Sequence, residues 1–194
     1  GVLDKMKCSH FPNKVSVRFY TPDGRSAAPF YFDEVDDHES SHTWQVDRVE
    51  FDAMLLEHAK DSGVEVLEGV HVREVLFEDG RAIGVRADLG DDEPRRILAK
   101  VVVDASGQGS VLARQLDLRV IDDQLRHCAI SARFQGAQRD EGRDSGATVI
   151  YWTRDKTSWF WFIPLPGDLS SVGAVGRLDQ LLTDRTRDPQ TVFE

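Results

Sequence analysis

Apolar and polar side chains alternate with a period of two over Lys14-Val15-Ser16-Val17-Arg18-Phe19-Tyr20, the pattern of a half-buried strand. Thr21-Pro22-Asp23-Gly24 follows with turn chemistry, proline presetting φ and glycine accepting a positive one. A short strand over Pro29–Phe32 completes a predicted hairpin. At Asp47-Arg48-Val49-Glu50 the period becomes helical. Asp47 is placed as N-cap with Glu50 at the third helical position, Phe51, Met54, Leu55 and Ala59 form the apolar stripe, and Gly63 ends the helix. Val64–Leu67 reads as a short strand. Val70–Phe77 and Ala82–Ala87, joined through Glu78-Asp79-Gly80-Arg81, read as a hairpin. Ile97–Val103 is nearly continuous apolar sequence, the pattern of a buried strand of parallel type. It runs into Asp104-Ala105-Ser106-Gly107-Gln108-Gly109, and Ser110 opens a further helix.

The second half has a different character. Cys128–Phe134, Thr148–Trp152, Trp159–Ile163 and Ser171–Val175 predict four strands with no helix between them, a β-meander. Strands alternating with helices, followed by strands alone, predict an α+β chain. The acidic run Asp33–Glu39 lacks the glycine and the spaced ligands of a calcium loop and reads as a solvated loop.

Composition narrows the function classes. The 194 residues suffice for one domain or slightly more, with 40% hydrophobic residues. Lysines and arginines number 24 against 34 acidic residues, a net charge of −10. That balance argues against nucleic acid or an anionic membrane as partner, since either needs a basic face. No apolar run approaches the ~18 residues of a membrane span. Cys8 and Cys128 alone do not build a disulfide framework, so a cytoplasmic location is expected. The chain opens at Gly1 without an initiator methionine and closes at Glu194 in mid-element, which leads us to expect part of a larger protein.

Two stretches carry candidate chemistry. Glycines between a strand and a helix, as in Asp104–Ser110, let backbone N–H groups approach a phosphate or sugar. Leu112 stands where a dinucleotide fingerprint has its third glycine, so spacing alone leaves a tight strand-to-helix turn equally open. The second stretch is Trp159-Phe160-Trp161-Phe162-Ile163-Pro164. On a strand Trp159, Trp161 and Ile163 face one way, Phe160 and Phe162 the other. Such a strand is either sandwiched in a core or lines a cleft for a large planar ligand. No G-x-S-x-G or C-x-x-C occurs, and the one H-E-x-x-H spacing, His38-Glu39-Ser40-Ser41-His42, starts in the acidic run read as a loop rather than on a helix, which leaves acyl-transfer and metal-site readings without a basis.

Trp159-x-Trp161-x-Ile163-Pro164 resembles the W-x-W-x-I-P motif of flavin-dependent halogenases of the tryptophan halogenase type. Val103-Asp104-Ala105-Ser106-Gly107 is similar to the D-A-S-G segment of the wider FAD-dependent monooxygenase superfamily, which includes geranylgeranyl reductases and aromatic-ring hydroxylases. Gln45–Asp52 with Leu55, Leu56 and Ala59 resembles that superfamily's R-x-x-F-D-x-x-L-L helix. The resemblance extends over nearly all of the chain.

It implies a partial FAD-binding α/β domain of aromatic-hydroxylase type over 47–117 and an antiparallel substrate sheet over 1–46 and 118–194. Carried over, Arg48 corresponds to the arginine that reaches the FAD phosphate region, and the Val72 backbone to the adenine contact. Asp104, Ala105 and Gly107 lie beside the adenosine half, and Trp159 and Trp161 wall the space between flavin and substrate. The family's G-x-G-x-x-G unit and its catalytic lysine belong before Gly1, so this chain carries no catalytic residue and no metal ligand. The implied parent is an FAD-dependent oxidoreductase, a halogenase using reduced flavin, oxygen and halide on an aromatic or carrier-tethered substrate. A flavin reductase would be its partner. A monooxygenase or geranylgeranyl-reductase-like enzyme on the same scaffold is the alternative, and a non-catalytic module for aromatic ligands the third reading.

Overall fold

Alternation between Lys14 and Tyr20 resolves into β1 (Asn13–Lys14) and β2 (Ser16–Tyr20), preceded by α1 (Leu3–Lys7). The computed structural model describes residues 1–91 and 93–182. Later elements are β3 (Phe30–Tyr31), β4 (Thr43–Trp44), α2 (Arg48–Asp61), β5 (His71–Glu78), β6 (Arg81–Asp88), β7 (Arg95–Leu98) and α3 (Val111–Gln115). The chain continues with β8 (His127–Gln135), β9 (Thr148–Trp152), β10 (Trp159–Pro164), β11 (Leu169–Arg177) and α4 (Leu178–Leu181). Contacts divide it into two units, Gly1–Asp61 with the chain from Gln124, and Ser62–Asp123.

In the first unit a six-stranded sheet runs in the order β3-β2-β9-β10-β11-β8. The expected meander holds for β9, β10 and β11 but not for β8. That strand pairs antiparallel with β11 along all nine residues, from Leu169↔Gln135 to Arg177↔His127, and so takes the far edge. β2 joins β9 in parallel, Val17↔Thr148 to Tyr20↔Tyr151, a pairing no hairpin can make. The hairpin of β2 and β3 forms, but β3 is two residues long and Phe32 already turns into a 3₁₀ helix. The acidic run is not simply solvated, because Asp33 accepts from Arg143 at 2.6 Å and Glu39 pairs with Lys7.

α2 begins as its cap chemistry requires: the Asp47 carboxylate accepts the Val49 N–H at 2.9 Å. Glu50 does not close a capping box; it faces His10 at 3.2 Å. None of the helix's apolar stripe is buried among the described residues, and Leu55 is 36% exposed.

The second unit is built on the three-stranded sheet β5-β6-β7. Asp79 and Gly80 both have positive φ, 49° and 78°, the turn that matches strand twist in a two-residue hairpin. α3 packs on β5, where the Gln115 amide both accepts the Val75 N–H at 2.8 Å and donates to its carbonyl at 2.7 Å. One side chain thus satisfies the backbone groups a neighbouring strand would otherwise pair.

Two expectations fail here. Val64–Leu67 joins no ladder. Ile97–Val103 is not a buried parallel strand: pairing covers Arg95–Leu98, it is antiparallel to β6, and Val101 and Val103 are 74% and 81% exposed. The apolar run reports a preference for burial, while ladder membership depends on which partner lies beside the segment.

Candidate functional site

The first unit builds a cleft of about 490 Å³ on the sheet face carrying Trp161. One wall descends from β4. Trp44 pairs across to Asn13, and the Gln45 N–H donates to the Pro12 carbonyl at 2.8 Å. The Gln45 side chain, 5% exposed, turns inward and donates to the Gly146 carbonyl at 3.0 Å and to Thr148 Oγ1 at 2.8 Å. That buried anchor holds Trp44 and Val46, on either side of it, against the cleft. Asp47 and Arg48 follow at once. Arg48 lines the cleft and makes a bidentate pair with Asp52, one helical turn on, at 2.9–3.2 Å. The carboxylate raises the guanidinium pKa.

The opposite wall is the sheet. Period-two geometry brings Trp161 and Ile163 from β10, Ser171 from β11 and Arg133 from β8 to one face. Arg133 is gripped by Asp47 through both carboxylate oxygens, at 2.8 and 3.2 Å. The Trp161 N–H donates to Ser171 Oγ at 3.1 Å, so the indole carries no unmet donor into the cleft. Two indoles and two guanidiniums, each cation with its own carboxylate, suit a flat ring system with acidic or phosphate substituents.

The reverse face of the same strand is different. Phe162 and Pro164 join Tyr20, Val149 and Tyr151 around a smaller cavity of about 320 Å³. Charges there are engaged internally: Arg18 binds Asp140 and Asp144, and Arg139 donates to the Gly167 and Leu169 carbonyls. Phe160, on that face, is 44% exposed.

The sequence-predicted residues therefore separate. Arg48 and Trp161 share the cleft. Trp159 does not line it; its ring lies 5.7 Å from Trp152, tilted by 55°. Val72 stands on β5 opposite Ala87, which is fully buried. Asp104, Ala105 and Gly107 form the turn before α3 in the second unit. Asp104 accepts from the Ser106 N–H at 3.0 Å, from Ser106 Oγ at 2.5 Å and from the Leu112 N–H at 2.8 Å. These donors, the Ser106 hydroxyl first, pull its pKa below the usual carboxylate value. Ser106 Oγ in turn accepts the Val111 N–H at 3.1 Å. The first donors of α3 are thus taken by the turn's own side chains, contrary to the picture of free N–H groups awaiting a phosphate.

Trp44, Arg133 and Ser171 were not legible as site residues. Trp44 immediately precedes the Gln45–Asp52 motif, a signal at hand, but Arg133 and Ser171 enter only through strand pairing. Among the described residues no cluster of ligating side chains could hold a metal ion, and no helix is long and apolar enough to cross a membrane.

This architecture is that of flavin-dependent halogenases of known structure: the fold superposes on one of them, CmlS, with a TM-score of 0.86 at 27% identity, covering all of this chain and 34% of that one. The family model described as "Tryptophan halogenase" matches residues 20–187, and the chain belongs to that family. It is 32% identical to a 1H-pyrrole-2-carbonyl-(peptidyl-carrier protein) chlorinase of Pseudomonas fluorescens, over 90% of this chain and 43% of that protein. It is also 32% identical to the corresponding brominase of Pseudoalteromonas luteoviolacea, over 90% of this chain and 41% of that protein. The chain thus spans about two fifths of the length of these relatives.

Proposed function

We propose that this chain is part of an FAD-dependent halogenase and that the cleft between Trp44, Arg48, Arg133 and Trp161 is where it meets the flavin. The observation that carries this reading is the sharing of one cleft by Arg48 and Trp161, residues from distant segments of the sequence. FAD fits the donor set: its ring system is flat, its diphosphate anionic, and the cleft supplies indole faces and guanidinium forks. Oxidation of chloride or bromide at the expense of oxygen is the chemistry that reduced FAD supplies when bound.

The chain's own residues bind, orient and exclude water. Arg48 is three-quarters exposed and, among the described residues, paired along its own helix with Asp52, so exchanging that carboxylate for a phosphate oxygen costs little. The Val72 backbone serves the adenine, and Ala105 and Gly107 offer backbone surface to the adenosine half, with Asp104 holding the turn in shape. Trp161 walls the cleft and keeps substrate from the reactive face, and Trp159, outside the cleft, continues that wall along the strand. By role, 47–117 is the FAD-binding part, and 1–46 with 118–194 the substrate sheet. The substrate is an aromatic or carrier-tethered group, a flavin reductase supplies reduced FAD, and the protein is cytoplasmic.

The test uses the full-length protein containing this chain, given reduced FAD, oxygen, bromide or chloride, and a pyrrolyl group on a carrier protein. Mass spectrometry should find the halogenated carrier. A hydroxylated product would make it a monooxygenase, and saturable binding of an aromatic compound without flavin uptake would make it a binding module.

A further inference from the structure

Trp161 and Gly173 stand directly opposite each other on β10 and β11. The indole lies across the glycine so closely that a Cβ on Gly173 would meet ring atoms Cζ2, Cη2 and Cε2 at 2.3, 2.5 and 2.6 Å. Gly173 is not among the residues with positive φ, so its backbone accepts any L residue, and the three atoms nearest an added Cβ all belong to the Trp161 ring. Two residues earlier, Ser171 takes the indole N–H at 3.1 Å. The ring therefore has a flat seat under its six-membered half and a hydrogen-bonded peg at its pyrrole edge.

We propose that Gly173 and Ser171 are positioning residues for Trp161, holding its indole flat on the sheet so that the cleft toward Trp44 and Arg48 stays open. Their assignment deepens the reading of the cleft as a flavin site. With the seat filled, the ring is pushed off the sheet, toward the cleft it lines. Without the peg, the indole keeps its seat but loses its rotational setting, and its N–H becomes a donor in need of water.

The chain has four tryptophans, each contributing one indole N–H resonance. In ¹⁵N-labelled protein, Trp161→Phe identifies the Trp161 peak. In the full-length protein, Ser171→Ala and Gly173→Ala should each move that peak, Gly173→Ala moving the Trp44 peak with it across the shared cleft, and Ser171→Thr, which keeps the hydroxyl, should restore the Trp161 peak. Gly173→Ala should also raise quenching of Trp161 fluorescence by acrylamide, as the ring leaves the sheet. In a Trp161→Leu background, Gly173→Ala should be silent in thermal unfolding, whereas with the indole present it lowers the midpoint by several degrees. An unmoved Trp161 peak in Ser171→Ala, or a Gly173→Ala penalty that persists without the indole, overturns the proposal. Titration with oxidised FAD in the full-length protein is a separate arm: moved peaks without flavin binding would refute the flavin reading and leave the positioning roles standing.

Discussion

Asp47 grips Arg133 with both carboxylate oxygens while one of those oxygens also accepts the Val49 N–H. A single side chain, 12% exposed, thus starts α2 and ties it to β8, the strand at the far edge of the sheet. Asp47→Ala removes the cap and leaves Arg133 without its partner. We expect a loss of about 1–2 kcal/mol, most of it the cap, because Arg133 is half exposed. Asp47→Asn keeps an acceptor for Val49 and should cost less. Urea unfolding of the two variants measures the difference.

Gln45 offers a second stability test. Its replacement by alanine orphans the buried Gly146 carbonyl and Thr148 Oγ1. The expected cost is about 1–3 kcal/mol, read by chemical denaturation. Wild-type stability in Gln45→Ala would mean that water replaces both donors.

At the turn before α3, Asp104→Ala should raise hydrogen exchange at the Leu112 amide, whose acceptor it removes, and at Val111, whose acceptor Ser106 it orients. The amides of β5 and β6 should keep their protection. Because the folded-state pKa of Asp104 lies below the ordinary carboxylate value of 3.8, its contribution is present above that value and fades as pH falls through the lower folded one.

Asp155, in the turn joining β9 and β10, gives the sharpest pH prediction. Hydrogen bonds from Thr153 Oγ1, Thr157 Oγ1 and the Thr157 N–H pull its pKa from 3.8 to about 2. A depressed carboxylate pKa stabilises the fold above pH 3.8, and the contribution disappears between there and about pH 2. A carboxyl-carbon NMR titration should place the Asp155 midpoint near the lower value. Thr157→Val should move it upward.

In the full-length protein, Arg48→Ala should weaken FAD binding by about tenfold or more, the worth of one charge-assisted contact. Thermal midpoints should stay within about a degree, since the Arg48–Asp52 pair is exposed. Fluorescence titration and a melting curve separate the two effects.

Much of the scaffold could be read from local pattern. The helix beginning at Arg48, the β5–β6 hairpin, and three consecutive strands ending in β11 each follow from periods, caps and turn residues, which act over a few neighbours. The alternation within β10 likewise assigned Trp161 and Phe162 to opposite faces, and they line different cavities. Local pattern was silent wherever two distant segments had to choose one another. β8 sits outside β11, β2 runs parallel to β9, and the apolar run after Leu98 leaves the ladder, because strand partners are set by register across the sheet. The cleft belongs to this second kind. Trp44, Arg48, Arg133, Trp161 and Ser171 come from four separate stretches, and only pairing and the Asp47–Arg133 tie bring them to one face. Periodicity could place an indole on a strand; the glycine beneath it and the hydroxyl at its edge depended on what folding set opposite.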